Sequence, residues 1–171
     1  MACETPIINI LRHHPKRTFE TDVLIIGSGG AGMRAAIEAG KDRVKVALVD
    51  KGLVGKSGAT PTTGARAYRY KEYEIPTNEE KEAYFKEVLQ TGCYLADQDL
   101  LWKMIDEFPD LLVEMAGWST KPMDSYCDAL NNEMIKYQNV ISYDYVMITK
   151  LLTDKGKVVG ATGLDIVNGE F

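Results

Sequence analysis

The chain has 171 residues, of which 26% are charged and 45% hydrophobic, and a net charge of -5; it can bury one ordinary core but is short for an enzyme that cradles both a dinucleotide and a substrate. That charge offers no basic surface of the kind nucleic acid requires, and no apolar run reaches the roughly 20 residues of a membrane span. The opening "MACETPIINILRHHPKRTFE" lacks the charged-then-apolar order of a secretory signal, so a cytoplasmic protein is expected.

Residues 1–20 read as a polar N-terminal arm. His13 and His14 are adjacent but have no acidic or thiol neighbours, which makes them solvated side chains and not metal ligands. Cys3, Cys93 and Cys127 are odd in number and scattered, so they read as reduced thiols filling space, with no disulfide framework, zinc or iron–sulfur site among them.

From Asp22 the chain runs "DVLIIGSGGAGMRAAIEAG". "DVLII" is continuously apolar, the pattern of a strand in a parallel sheet covered on both faces. The glycines open a helix that Gly40 is expected to close as a C-terminal cap, and "VKVALVD", Val44 to Asp50, is a second buried strand. The result is a β-α-β unit. Gly27, Gly29 and Gly32 fit G-x-G-x-x-G between strand and helix. In that pattern the first glycine makes the turn, the second lets a pyrophosphate approach the helix N-terminus, and the third allows close helix–strand packing. Asp50 ends the second strand roughly 20 residues on, where a carboxylate can accept a ribose diol. Together these predict a bound dinucleotide, and NAD and FAD share every one of them.

The stretch from Lys51 to Arg69, "KGLVGKSGATPTTGARAYR", is expected to be a long irregular loop. Its small residues and its cations Lys51, Lys56, Arg66 and Arg69 suit contact with a phosphorylated ligand. A nicotinamide domain would soon enter another crossover helix, whereas this loop could cover a second phosphate and reach a flavin ring. Flavin is therefore favoured. Arg66 and Arg69 fit phosphate contact or a solvated surface better than substrate contact.

"PTNEEKEAYFKEVLQTG" predicts a helix capped by Asn78 and stopped by Gly92. "DQDLLWKMIDEFPDLLVEMAG" sets Leu100, Leu101, Met104, Ile105, Phe108, Leu111, Leu112 and Met115 at helical spacing between Asp97 and Gly117, with Pro109 expected to kink or split the helix. "NVISYDYVMI" then reads as a strand, Thr153 to Gly156 as a turn, and "KVVGATGLDIV" as a second strand before the hairpin signal Asn168-Gly169. A hairpin turn with only Glu170 and Phe171 after it predicts that the natural polypeptide continues.

The segments "TDVLIIGSGGAGMRAAIEA", "VALVDKG" and "KSGATPTTGARAY", in this order, resemble the flavoprotein subunits of the succinate dehydrogenase and fumarate reductase family. L-aspartate oxidase and the adenylylsulfate reductase flavoprotein belong to the same family. The helical stretch after Leu95 and the closing segment from Val146 resemble that family's helical insertion and β-meander. The resemblance implies an α/β, Rossmann-like FAD-binding domain over residues 21–171, apparently incomplete, in which hydride passes between flavin N5 and a small dicarboxylate.

By this resemblance Gly27, Ser28, Gly29, Gly30, Ala31 and Gly32 form the pyrophosphate loop, Asp50 is the ribose acid and Lys51 its neighbour. Ser57, Gly58, Ala59, Thr60, Thr63 and Gly64 match the loop against the flavin, and Met147 and Ile148 the segment that meets adenine. Covalent members carry a histidine where this chain has Gly58, so noncovalent FAD is implied. The segment between Gly117 and Asn139 is shorter than the family's. The residues that bind substrate and deliver its proton would lie beyond Phe171, so no catalytic residue is assigned. An iron–sulfur subunit or a diffusible donor is implied as electron partner. An L-aspartate oxidase-like enzyme and a non-catalytic dinucleotide-binding chain completed by a second polypeptide are the alternatives.

Overall fold

The amino-terminal unit is β1 (Val23–Ile26), α1 (Gly30–Lys41) and β2 (Val46–Val49), in a computed structural model that describes residues 17–63, 76–119 and 126–170. Cys3, His13, His14, Gly64, Arg66 and Arg69 lie outside the described residues, as does the Thr63 side chain. Two parallel strands need a crossover, and α1 supplies it: Val23 pairs with Val46 and Ile26 with Val49. A third parallel strand, β3 (Val140–Tyr143), adds to the other edge of β2, giving the order β1-β2-β3.

One face of this sheet is packed. Met33, Ala36 and Ile37 of α1 close on Val46 and Leu48 of β2, and on Cys127, Leu130 and Met134 of the helix α5 (Tyr126–Met134). The opposite face carries Ile26, 52% exposed, and Ile141, 55% exposed. The continuously apolar "DVLII" is thus an edge strand with one covered face, not a strand buried on both; β2, in the middle, is buried throughout.

Several local expectations are corrected. Gly40 lies inside α1, whose cap is Asp42. A Cβ at Gly40 would sit 3.0 Å from Tyr137 Cγ and from Val140 Cγ2, so this glycine serves close packing of α1 on β3, not termination. The loop after Asp50 contains a short helix, α2 (Ala59–Thr63). The next helix, α3 (Asn78–Thr91), is capped by Thr77 and not by Asn78: the Thr77 hydroxyl accepts from Glu80 N, and Glu80 returns a bond to Thr77 N. A capping box outcompetes a lone Asn one residue later because it satisfies two amides at once.

The fourth helix, α4 (Gln98–Ala116), runs unbroken through Pro109. Buried Ile105 and Phe108 hold it before the proline and buried Met115 after it. Leu101 and Ile105 pack with Leu89 of α3, and the Phe85 and Trp102 rings stack at 4.5 Å. Leu100, expected in this stripe, is 67% exposed. Cys127 fills core space as expected, but Cys93 is exposed at a turn with φ 53°.

"NVISYDYVMI" is not one strand. It breaks at Asp144 and Tyr145, the latter at φ 58°, into β3 and β4 (Val146–Asp154). β4 pairs antiparallel with β5 (Lys157–Asp165) across a turn in which Lys155 and Gly156 both have positive φ, the two-residue geometry that suits strand twist. After β5 the chain turns back, and Glu170 bridges to Asp165.

The α3–α4 hairpin is tied to the sheet layer by Arg34 of α1. Its guanidinium donates to both carboxylate oxygens of Glu114, at 2.7 and 3.3 Å, and lies 5.1 Å over the Trp118 ring. Arg34→Ala is expected to cost about 1–2 kcal/mol, the sum of a partly exposed bidentate pair and a cation–π contact. Arg34→Lys should recover little of it, because an ammonium cannot reproduce the fork. Urea denaturation of the two variants checks this, and a lysine variant as stable as the parent would show that only charge matters.

Candidate functional site

The loop between β1 and α1 turns on Gly27, at φ +96° with open space where a Cβ would point, so ligand atoms can come against its backbone. Gly27 N donates to Val49 O at 2.7 Å, which fixes the turn beside the end of β2. Gly29 stands at the N-cap of α1 and has no side chain to cap it, leaving first-turn amides for other acceptors. Gly30 N is met by Thr60 Oγ1 of α2 at 3.0 Å. Gly32 lies one turn on, where any side chain would strike Gly27 O.

Asp50 is 7% exposed and fully hydrogen-bonded. Its Oδ2 accepts from Ser28 N and Ser28 Oγ, both at 2.6 Å, and its Oδ1 from Gly52 N at 2.8 Å and Ser57 Oγ at 2.7 Å. Burial pushes this carboxyl up, but the Ser28 hydroxyl, the Gly52 and Ser28 amides and the Ser57 hydroxyl together outweigh burial and bring it down to about 2. Gly52 is needed for this closure, since a Cβ there would stand 2.6 Å from Ser57 Cβ.

The end of β3 and the start of β4 are strapped to the same place. Asp50 N donates to Tyr143 O at 3.0 Å, Val146 N to Asp50 O at 2.9 Å and Tyr145 N to Gly52 O at 3.0 Å. Those bonds set Met147 and Ile148 across from the glycine turn. A groove of about 320 Å³ results, lined by Ile26, Gly27, Val49, Asp50, Lys51, Ser57, Gly58, Val146, Met147 and Ile148. That volume is at the small end of ligand pockets, enough for part of a dinucleotide.

Seven residues expected at a cofactor therefore share one groove: Gly27, Asp50, Lys51, Ser57, Gly58, Met147 and Ile148. Ser28 is wholly buried and grips Asp50 from behind, so it supports the groove without lining it. Gly29, Gly30 and Ala31 flank the groove at the start of α1, Ala59 begins α2, and Thr60 reaches Gly30.

Reading the residues alone missed Asp144, whose Oδ1 accepts from Val54 N at 2.8 Å and steadies the loop. It also missed Tyr126, whose ring edge stands 2.9 Å from where a Gly30 Cβ would be. An Asp at the head of a turn is a legible signal; the Tyr126 contact has none. Among the described residues no group of His, Cys, Asp and Glu is arranged to hold a metal, and no helix is long and apolar enough to cross a membrane.

Residues 22–137 match the model of a protein family described as FAD binding domain. The chain is 32% identical to a component of the CoM/CoB fumarate reductase of Methanothermobacter marburgensis, over 89% of this chain and 32% of that one. It is 24% identical to the fumarate reductase flavoprotein subunit of Mycobacterium tuberculosis, over 90% of this chain and 31% of that one. It thus spans about a third of the length of these relatives. Among solved structures, a quinol fumarate reductase of E. coli superposes with a TM-score of 0.68 at 21% identity, covering 87% of this chain and 30% of the other, a likeness of fold.

Proposed function

The chain belongs to the FAD binding domain family, and on that premise we propose that it is the nucleotide-holding part of a fumarate reductase or succinate dehydrogenase type flavoprotein. One observation carries the reading. The glycine turn, the stretch from Asp50 to Gly58 and the start of β4 converge on one groove although these three segments are far apart in sequence.

The residues suit the group. Gly27 leaves backbone open to the pyrophosphate, the N-terminus of α1 favours its negative charge, Lys51 adds a cation beside it, and Met147 and Ile148 give adenine an apolar wall. When bound, flavin supplies the redox step, with hydride passing between its N5 and a small dicarboxylate. This chain's part is to anchor and orient the nucleotide. Substrate-binding groups are assigned to the greater length that the relatives possess. The electron partner is an iron–sulfur subunit or a diffusible donor, and the protein is cytoplasmic, held at the inner face of the membrane where such a partner anchors it.

Gly58, which stands where covalent members of the resembled family carry a histidine, supports noncovalent attachment; it has φ +83° and open space where a side chain would point. The visible absorption spectrum of the protein purified from its native source tests the reading. About one equivalent of flavin is expected, all of it released into the supernatant on acid precipitation, followed by activity toward fumarate or succinate. Flavin remaining with the pellet would overturn noncovalent binding; a colourless protein that binds only nicotinamide nucleotides would overturn the flavin reading.

A further inference from the structure

A carboxylate accepts about four hydrogen bonds, and Asp50 makes four within the chain. A ribose hydroxyl can bond it only by taking the place of a donor. Three of the four are held fast. Ser28 has no exposed surface, its amide and hydroxyl both close on Oδ2, and its Oγ also accepts from Gly55 N at 3.2 Å. Gly52 N belongs to a backbone turn whose carbonyl is bonded to Tyr145 N. Ser57 Oγ is different, because it is a rotatable side-chain hydroxyl of a groove-lining residue, and its bond to Oδ1 is only part-buried whereas the two bonds to Oδ2 are buried.

We infer that Ser57 Oγ and a hydroxyl of the adenosine ribose exchange at Asp50 Oδ1, so that the Ser57–Asp50 hydrogen bond sets a limit on nucleotide affinity. The exchange replaces one O–H···O⁻ bond by another of the same kind, and no charge or proton is transferred. Ser57 is then a nucleotide-site residue whose removal strengthens binding, the opposite of what an ordinary contact residue does. The inference rests on the flavin reading proposed above and adds to it how the ribose gains its acid.

The test uses the protein in its native assembly, stripped of bound nucleotide, with calorimetric titration of FAD, AMP and 2′,3′-dideoxy-AMP. In Ser57→Ala, FAD and AMP are expected to bind roughly three- to tenfold more tightly, the range of one net hydrogen bond. Dideoxy-AMP, which has no ribose hydroxyl to offer, should bind both forms equally. AMP binding no tighter to the variant overturns the exchange, and so does an equal gain for dideoxy-AMP, which would trace the effect to a loosened loop. FAD binding that ignores Ser57 sinks the exchange alone, whereas a parent protein that binds neither FAD nor AMP sinks the flavin reading with it.

Discussion

Gly32→Ala is expected to destabilise the amino-terminal β-α-β unit, not merely to weaken nucleotide binding. A Cβ at this position would lie 1.8 Å from Gly27 O, 3.0 Å from Gly27 C and 3.6 Å from Ile25 Cγ2. Both close contacts are with the backbone of Gly27. Gly27 cannot retreat without losing its 2.7 Å bond to Val49 O, and α1 cannot retreat without pulling Met33, Ala36 and Ile37 off the sheet. A cost above about 3 kcal/mol follows, beyond the usual range for overpacking because no flexible side-chain end can give way. The melting temperature should fall by about 6–12 °C or more, measured by far-ultraviolet circular dichroism.

Gly29→Ala is the control. Its Cβ would meet only Thr60 Oγ1, at an ordinary 3.5 Å, so stability should stay near that of the parent while flavin content falls if the pyrophosphate crosses here. A Gly32→Ala protein that melts like the parent but is colourless would show that the close helix–strand approach is not what demands glycine.

Asp50→Asn is the second substitution with a large expected effect, and it acts on the loops more than on charge. An asparagine has one accepting oxygen and one donating nitrogen. Whichever way it is turned, its NH₂ faces either Ser28 N or Gly52 N, each of which now donates to a carboxylate oxygen. The Ser28 and Ser57 hydroxyls can rotate to accept, but an amide cannot, so one buried or half-buried N–H loses its partner. The expected cost is about 2–3 kcal/mol, with loss of nucleotide affinity because the carboxylate proposed to take the ribose hydroxyls is gone.

The same carboxyl gives a pH signature. Held at about 2 against an unfolded value of 3.8, Asp50 stabilises the fold fully above pH 4. That contribution is lost as pH falls from there through 2, and amounts to about 2 kcal/mol. Other depressed carboxyls, such as Glu133, titrate in both proteins. The difference between parent and Asp50→Asn isolates Asp50: it should shrink between pH 4 and pH 2. A stability gap that stays constant through that window would show that the carboxylate's charge contributes nothing.

Much of the site could be read along the chain because its parts are local. A glycine run between an apolar strand and a helix, with an acid ending the next strand, describes backbone that must turn, approach and stop within a few residues. The caps Asp97, Gly92 and Gly117 were legible for the same reason: each satisfies or ends its own helix. Gly40 misled, since glycine reads as a terminator until Tyr137 and Val140 are seen against it. Helix α5 went unread although Cys127, Leu130 and Met134 fall at helical spacing and are all buried.

From residue order alone came the β-α-β start, the glycine turn between strand and helix and the acid that ends β2, because turn sterics, hydrophobic period and capping act over one or two turns of chain. Only packing at a distance decided that the α3–α4 hairpin is tied down through Arg34, that the strand after Asn139 breaks at Tyr145 to put Met147 and Ile148 across from Gly27, and that Asp50 is held by Ser28 and Ser57 at once. Most of those meetings join residues far apart in the chain, such as Asp50 with Ser28 and Arg34 with Glu114. No local preference encodes such a meeting; it follows from which surfaces could be buried together with their polar groups satisfied.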